Sequence, residues 1–210
     1  TDLVNWTSES VHIPAVFPQE FGNVLRVWAP QTIYDPIAKK YMIYFSMLKD
    51  GPGEYDIIYY AYANKDFTAL ESTPKQLFFS PDKKSCIDGD IVFNNGKYHL
   101  FFKTEGHGNG IKKAVSDKLT EGWMLEDRYL QQTTSPVEGA GVFKLNNSTD
   151  WILMYDMYTS GKYQFTRSSD LHDFKLVDHE VSMDFHPRHG TVLPITAKEK
   201  EALLSKWMPT

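Results

Sequence analysis

Four short stretches hold the residues able to do acid–base or recognition chemistry: Trp28-Ala29-Pro30, Ile87-Asp88-Gly89-Asp90, Glu138-Gly139 and Arg188-His189-Gly190-Thr191. Asp88, Asp90 and Glu138 are carboxylates at the start of apolar runs. Carboxylates distant in sequence that meet in space suit cleavage of a glycosidic bond. One protonates the leaving oxygen, a second acts as base or nucleophile, and their separation sets the stereochemistry. Crowding them raises the pKa of the one that must stay protonated. Each residue also has a plainer role. Asp88 and Asp90 are residue types that cap turns, and Glu138-Gly139 can be a loop before a strand. His189 is either a substrate or water ligand or a packed histidine, and Trp28 is either a sugar-stacking platform or core. Asp90 is read as pointing to the other side of the strand from Asp88, and so as structural.

The elements that must position these residues are strands. Ile87–Lys103 (IDGDIVFNNGKYHLFFK) reads as a β-hairpin closed at Asn94-Asn95-Gly96, where positive φ is tolerated. Related text recurs at Ala29–Ser46 and Glu138–Asp156 and begins again at Arg188. A third strand follows in three units (Asp56–Ala63, Ile111–Ser116, Lys162–Ser168) and an Asp-led motif closes each one. The motif aspartates Asp2, Asp66, Asp117 and Asp170 are 64, 51 and 53 residues apart, and Pro30, Gly89, Gly139 and Gly190 are 59, 50 and 51 apart. A unit of roughly fifty residues with four antiparallel strands predicts an all-β propeller. A β-sandwich would not repeat with this period.

Three units are complete by this reading: Ala29–Leu77, Ile87–Leu130 and Glu138–Val177. Thr1–Trp6 reads as the outer strand of another blade, Arg188–Ile195 as the first strand of a last one. Thr196-Ala197-Lys198-Glu199 is a capping-box pattern that opens a short helix to Trp207. The expectation is one domain over residues 1–210, with the remaining strands upstream of Thr1.

Composition narrows the partners. Charged residues are 23% of the chain and the net charge is −5, which points to neither nucleic acid nor an anionic membrane. No run of ~18 apolar residues exists, and no signal peptide stands at the N-terminus. Localisation stays unknown; a signal peptide on a precursor would favour an extracellular or periplasmic site. The single cysteine, Cys86, excludes an internal disulfide framework and reads as structural. Gly106-His107-Gly108-Asn109-Gly110 joins two strands rather than a strand and a helix, so it is no phosphate loop. No His/Cys/carboxylate spacing builds a metal site by itself.

Taken in order, Trp28-Ala29-Pro30, Ile87-Asp88-Gly89, Glu138-Gly139 and Arg188-His189-Gly190-Thr191 resemble glycoside hydrolase family 43, from Thr1 to about Trp207. The resemblance implies a five-bladed β-propeller acting with inversion on arabinose- or xylose-containing polysaccharides. Glu138 then matches the general acid, and Asp88 the carboxylate that tunes it and orients substrate. Trp28, Arg188 and His189 match substrate-binding positions. His189 is also the one metal-side residue, near a calcium ion or water cluster in the central channel; no cofactor is required for the chemistry. Gln31 stands where the family often has an acid. Nothing before Trp28 matches the family's base, so the resemblance places the base upstream of Thr1. It implies a carbohydrate substrate and either a complementing N-terminal segment or self-association through open blade edges. The rival readings are a non-catalytic carbohydrate-binding propeller and a scaffold for protein interaction.

Overall fold

Asn95 and Gly96, with φ of 49° and 80°, form the two-residue turn that joins β5 (Cys86–Asn94) to β6 (Lys97–Thr104). Two successive left-handed residues match the twist of the flanking strands, which explains the Asn-Gly pair. The computed structural model describes residues 2–52, 54–105 and 109–208. Thr1 and Gly106-His107-Gly108 of the glycine-rich loop lie outside the described residues.

The hairpin belongs to the middle of three four-stranded antiparallel sheets, each a meander in chain order. The first holds β1 (Val24–Asp35), β2 (Lys40–Lys49), β3 (Ile57–Tyr62) and β4 (Lys75–Phe78). The second adds β7 (Gly110–Ser116) and β8 (Met124–Glu126) to the hairpin. The third holds β9 (Glu138–Lys144), β10 (Trp151–Met157), β11 (Lys162–Ser168) and β12 (Lys175–Leu176). These follow the three units expected from the sequence period. β5 packs against the first sheet and β9 against the second, so successive sheets meet through their first strands.

The middle sheet is covered on both faces. Leu100 and Phe102 of β6 pack with Met42, Tyr44, Ile58 and Phe78 of the first sheet. Phe101 between them packs with Leu153 and Tyr155 of the third and with Phe174 just before β12. That is why Tyr98–Phe102 is apolar without alternation: both sides of the strand are interior. Burying each such side chain stabilises the fold by about 1.5–3 kcal/mol. Cys86 is fully buried, and burial pushes its thiol up to about 12, which makes it a packing residue.

Two expected strands are not there. Asp2–Trp6 is a turn: Asp2 Oδ1 accepts hydrogen bonds from the Val4 and Asn5 amides at 3.0 and 2.9 Å, and Leu3 sits at φ 56°. Phe67 and Leu171, which also follow a motif aspartate, sit at 57° and 60°. In three of its four copies the Asp motif thus encodes a left-handed turn, Lys118 after Asp117 being the exception, and at Asp2 no described strand follows it. Arg188–Ile195 likewise pairs with no strand. It runs as coil and is fastened through side chains. The helix α3 (Ala197–Trp207) does form, with the reciprocal Thr196/Glu199 capping box. Two helical turns, α1 (Ile13–Val16) and α2 (Pro18–Phe21), were not anticipated. They place Ile13 and Phe21 on Phe45 and Met47. Among the described residues no helix is long and apolar enough to cross a membrane.

Candidate active site

Each chemistry-bearing stretch contains one left-handed residue: Ala29 (φ 48°), Asp88 (53°), Gly139 (62°) and His189 (45°). Three of the four are not glycine, and such residues cost about 1–3 kcal/mol, a strain that clusters at functional sites. In the three sheets the kink coincides with a slip in strand pairing, between Trp28 and Gln31, Ile87 and Asp90, and opposite Met154/Asp156. The equivalent positions are therefore Ala29, Asp88, Gly139 and His189. This shifts the Glu138 stretch by one residue from the sequence spacing. Glu138 is the counterpart of Ile87, and Asp88 that of Gly139.

The four kinked stretches line one cavity of about 180 Å³. Its walls are Ala29, Pro30, Gln31, Asp88, Gly89, Gly139, Ala140, His189, Gly190 and Thr191. Asp88, Glu138 and His189 each bring a polar atom within 4.8 Å of the others. Asp88 Oδ2 accepts from the Gly139 amide at 2.9 Å. Burial pushes the Asp88 carboxyl above its ordinary value; the Gly139 amide pulls it partly back, and Glu138 adds to the rise. His189 Nε2 lies 3.1 Å from Glu138 Oε1. Arg188 Nη2 donates to that same oxygen, and Arg188 Nε donates to Asp156 Oδ2 at 2.6 Å. Lys103 Nζ stands 3.8 Å from Glu138 Oε2. Glu138 is thus a half-buried carboxylate held by the Arg188 guanidinium, with the Lys103 ammonium and the His189 ring close by. Gln31 Nε2 donates to Thr191 Oγ1 at 2.7 Å, which ties β1 to the coil.

Asp90 does not lie on the other side of the strand from Asp88, since residues two apart share a face. Its Oδ2 accepts from the Val142 amide at 2.7 Å, so both Asp88 and Asp90 reach the same strand, β9. Asp90 is buried beside Tyr44 and outside the cavity lining, in keeping with its reading as structural. Trp28 stands beside the lining, its ring under the Arg26 guanidinium at 3.9 Å. Two residues of the site were not singled out from sequence. They are Lys103, which ends the apolar run of β6, and Asp156, a fully buried carboxylate in the apolar run of β10. The signal for both was a lone charge inside a strand otherwise built for a core.

Asp88, Glu138 and His189 fit calcium poorly as a set. Calcium takes six to eight oxygen ligands, whereas this set has two carboxylates and an imidazole, and one Glu138 oxygen is already held by Arg188.

Gly139 has a second role. A Cβ there would lie 3.2 Å from His189 Nδ1, at a φ that side chains rarely adopt. Gly139→Ala is expected to lower stability by about 1–2 kcal/mol and to move the His189 ring off Glu138. Urea unfolding and the His189 imidazole NMR signals measure the two effects. An unshifted imidazole would contradict this packing.

The family model described as "Probable glycosyl hydrolase domain", of the type related to family 43, matches residues 1–201. No curated protein matches significantly. Among solved structures, the chain is similar to a fructofuranosidase from Schwanniomyces occidentalis complexed with fructose (19% identity, TM-score 0.60, 71% of this chain and 33% of that one). It is also similar to an exo-beta-1,3-galactanase from Phanerochaete chrysosporium (16%, 0.57, 74% and 36%). A third likeness is to an endo-arabinase from Bacteroides thetaiotaomicron (14%, 0.52, 72% and 54%). At these identities the likeness is one of fold, and the chain spans from a third to about half of their lengths.

Proposed function

The chain belongs to the glycosyl hydrolase family related to glycoside hydrolase family 43, and from that membership we propose that Glu138 is the general acid of a glycosidase acting with inversion on arabinose- or xylose-containing saccharides. The observation that carries this reading is the meeting of Asp88, Glu138 and His189, from three separate stretches, within 4.8 Å beside one cavity. In this reading Asp88 is the modulator and orienting carboxylate rather than the base. Inverting enzymes hold acid and base carboxyls roughly 6.5–9.5 Å apart to admit a water, and the Asp88–Glu138 approach is closer than that. The base is then a third carboxylate, which none of the described lining residues supplies. The fold in this proposal is a five-bladed propeller within one domain. The three sheets are three of its blades, and the 188–195 coil marks the channel wall of another. Arg188, His189 and Trp28 bind the sugar, Trp28 by stacking beside Pro30 and Gln31.

The test is hydrolysis of arabinan, xylan and the matching oligosaccharides by the natively expressed protein, with proton NMR identifying the anomer released first. The expected product is the anomer opposite to that of the substrate. A retained anomer would make Asp88 a nucleophile at short range and would end the inverting reading. Activity confined to galactan or fructan would end the sugar assignment alone.

A further inference from the structure

Asp156 is completely buried, and a buried carboxylate needs a partner charge. Its Oδ2 takes the Arg188 Nε hydrogen bond, while its Oδ1 has no hydrogen-bond partner among the described residues. Asp156 is also the pairing partner of Glu138 across β9 and β10. The Arg188 guanidinium therefore bridges two carboxylates that stand opposite one another, one wholly interior and one in the site. Arg188 itself is half exposed and lies on a coil with no strand pairing. The backbone does not fix where its charge sits. Asp156 does.

We propose that Asp156 is a positioning residue for proton delivery: it anchors the Arg188 guanidinium through Nε, so that only one arm of the fork reaches Glu138. The proposal rests on the reading of Glu138 as general acid. Proton donation leaves Glu138 as a carboxylate, which the single Arg188 contact stabilises. A guanidinium freed from Asp156 can turn both arms onto Glu138. Bidentate pairing is the strongest form of this contact, and it would hold Glu138 in the ionised form that cannot donate. The fixed interior charge on Asp156 competes for Arg188 and keeps the acid usable. Because Arg188 and His189 share the coil, the same anchor also holds His189 over Gly139.

Asp156→Asn removes the interior charge and keeps the shape. A xylo- or arabino-oligosaccharide and the para-nitrophenyl glycoside of the same sugar are compared in wild type, Asp156→Asn and Glu138→Gln. Asp156→Asn is expected to lower kcat on the oligosaccharide about 10- to 100-fold, within the range that proton transfer supplies. It should lower kcat on the para-nitrophenyl glycoside, whose leaving group needs little protonation, less than about 3-fold, with KM little changed. If Asp156→Asn does not fold by thermal melting, Asp156→Ser serves instead. It likewise removes the charge that competes for Arg188, so the same split between substrates is expected. An equal loss on both substrates, or none, with the split still present in Glu138→Gln, overturns this role and leaves the acid assignment standing. A Glu138→Gln protein without the split overturns both.

Discussion

Glu138→Gln is expected to reduce turnover of unactivated arabinosides or xylosides about 10²- to 10⁴-fold, the range a general acid contributes. Glutamine keeps the shape, can still accept from Arg188 and can still pair with the His189 ring, the two groups in contact with Glu138 Oε1. Binding should therefore survive while proton delivery is lost. The measurement is kcat on an oligosaccharide beside the affinity for it by calorimetry. Turnover within a few-fold of wild type would show that another group donates the proton. A loss of affinity as large as the loss of kcat would make Glu138 a binding residue instead.

Asp90 gives the second large effect, on stability. Burial pushes its carboxyl up to about 6, against the pull of the Val142 amide and Tyr44. The folded pKa stands above the unfolded one, so the folded state binds the proton more tightly. The contribution is fully present below the unfolded pKa near 3.8 and is lost as pH rises through about 6. Two units correspond to roughly 3 kcal/mol. Stability by urea unfolding should therefore fall between pH 4 and 7 by up to that amount from this group. Asp90→Asn should flatten that slope while retaining an acceptor for Val142. A wild-type slope unchanged by Asp90→Asn would mean that water or Tyr44 hydration relieves the buried charge.

The sequence carried the sheets more faithfully than their edges. Hairpin turns such as Asn95-Gly96 and the aromatic runs that precede the Asp motifs are local signals, and a roughly fifty-residue spacing was enough to divide the chain into three units. The site was partly legible too, since Asp88, Glu138, Arg188 and His189 stand at the openings of those units. The one-residue offset at Glu138 was not, because glycine can fill the left-handed position or its neighbour and spacing alone cannot tell which. Asp90 was read as facing away from Asp88, although residues two apart on a strand share a face, and both carboxylates reach β9. Asp156 and Lys103 were passed over inside apolar runs, where a charge makes sense only once its partner from another element is known. Arg188–Ile195 had the composition of a strand but no described strand beside it, and a strand is defined by its neighbour.

That coil has a consequence for how the protein would fail under stress. Glu138 and Asp88 are built into sheets whose loss requires breaking the main core. Arg188 and His189 are attached by the bonds to Asp156 and Glu138, the close pass over Gly139 and the Gln31–Thr191 contact. Segments held this way open at a small fraction of the global unfolding free energy. Mild heat or low denaturant would detach the fourth wall first and leave three intact sheets around half a site. Inactivation would then run ahead of melting, so the working lifetime of the site is set by a few side-chain fastenings rather than by the stability of the fold.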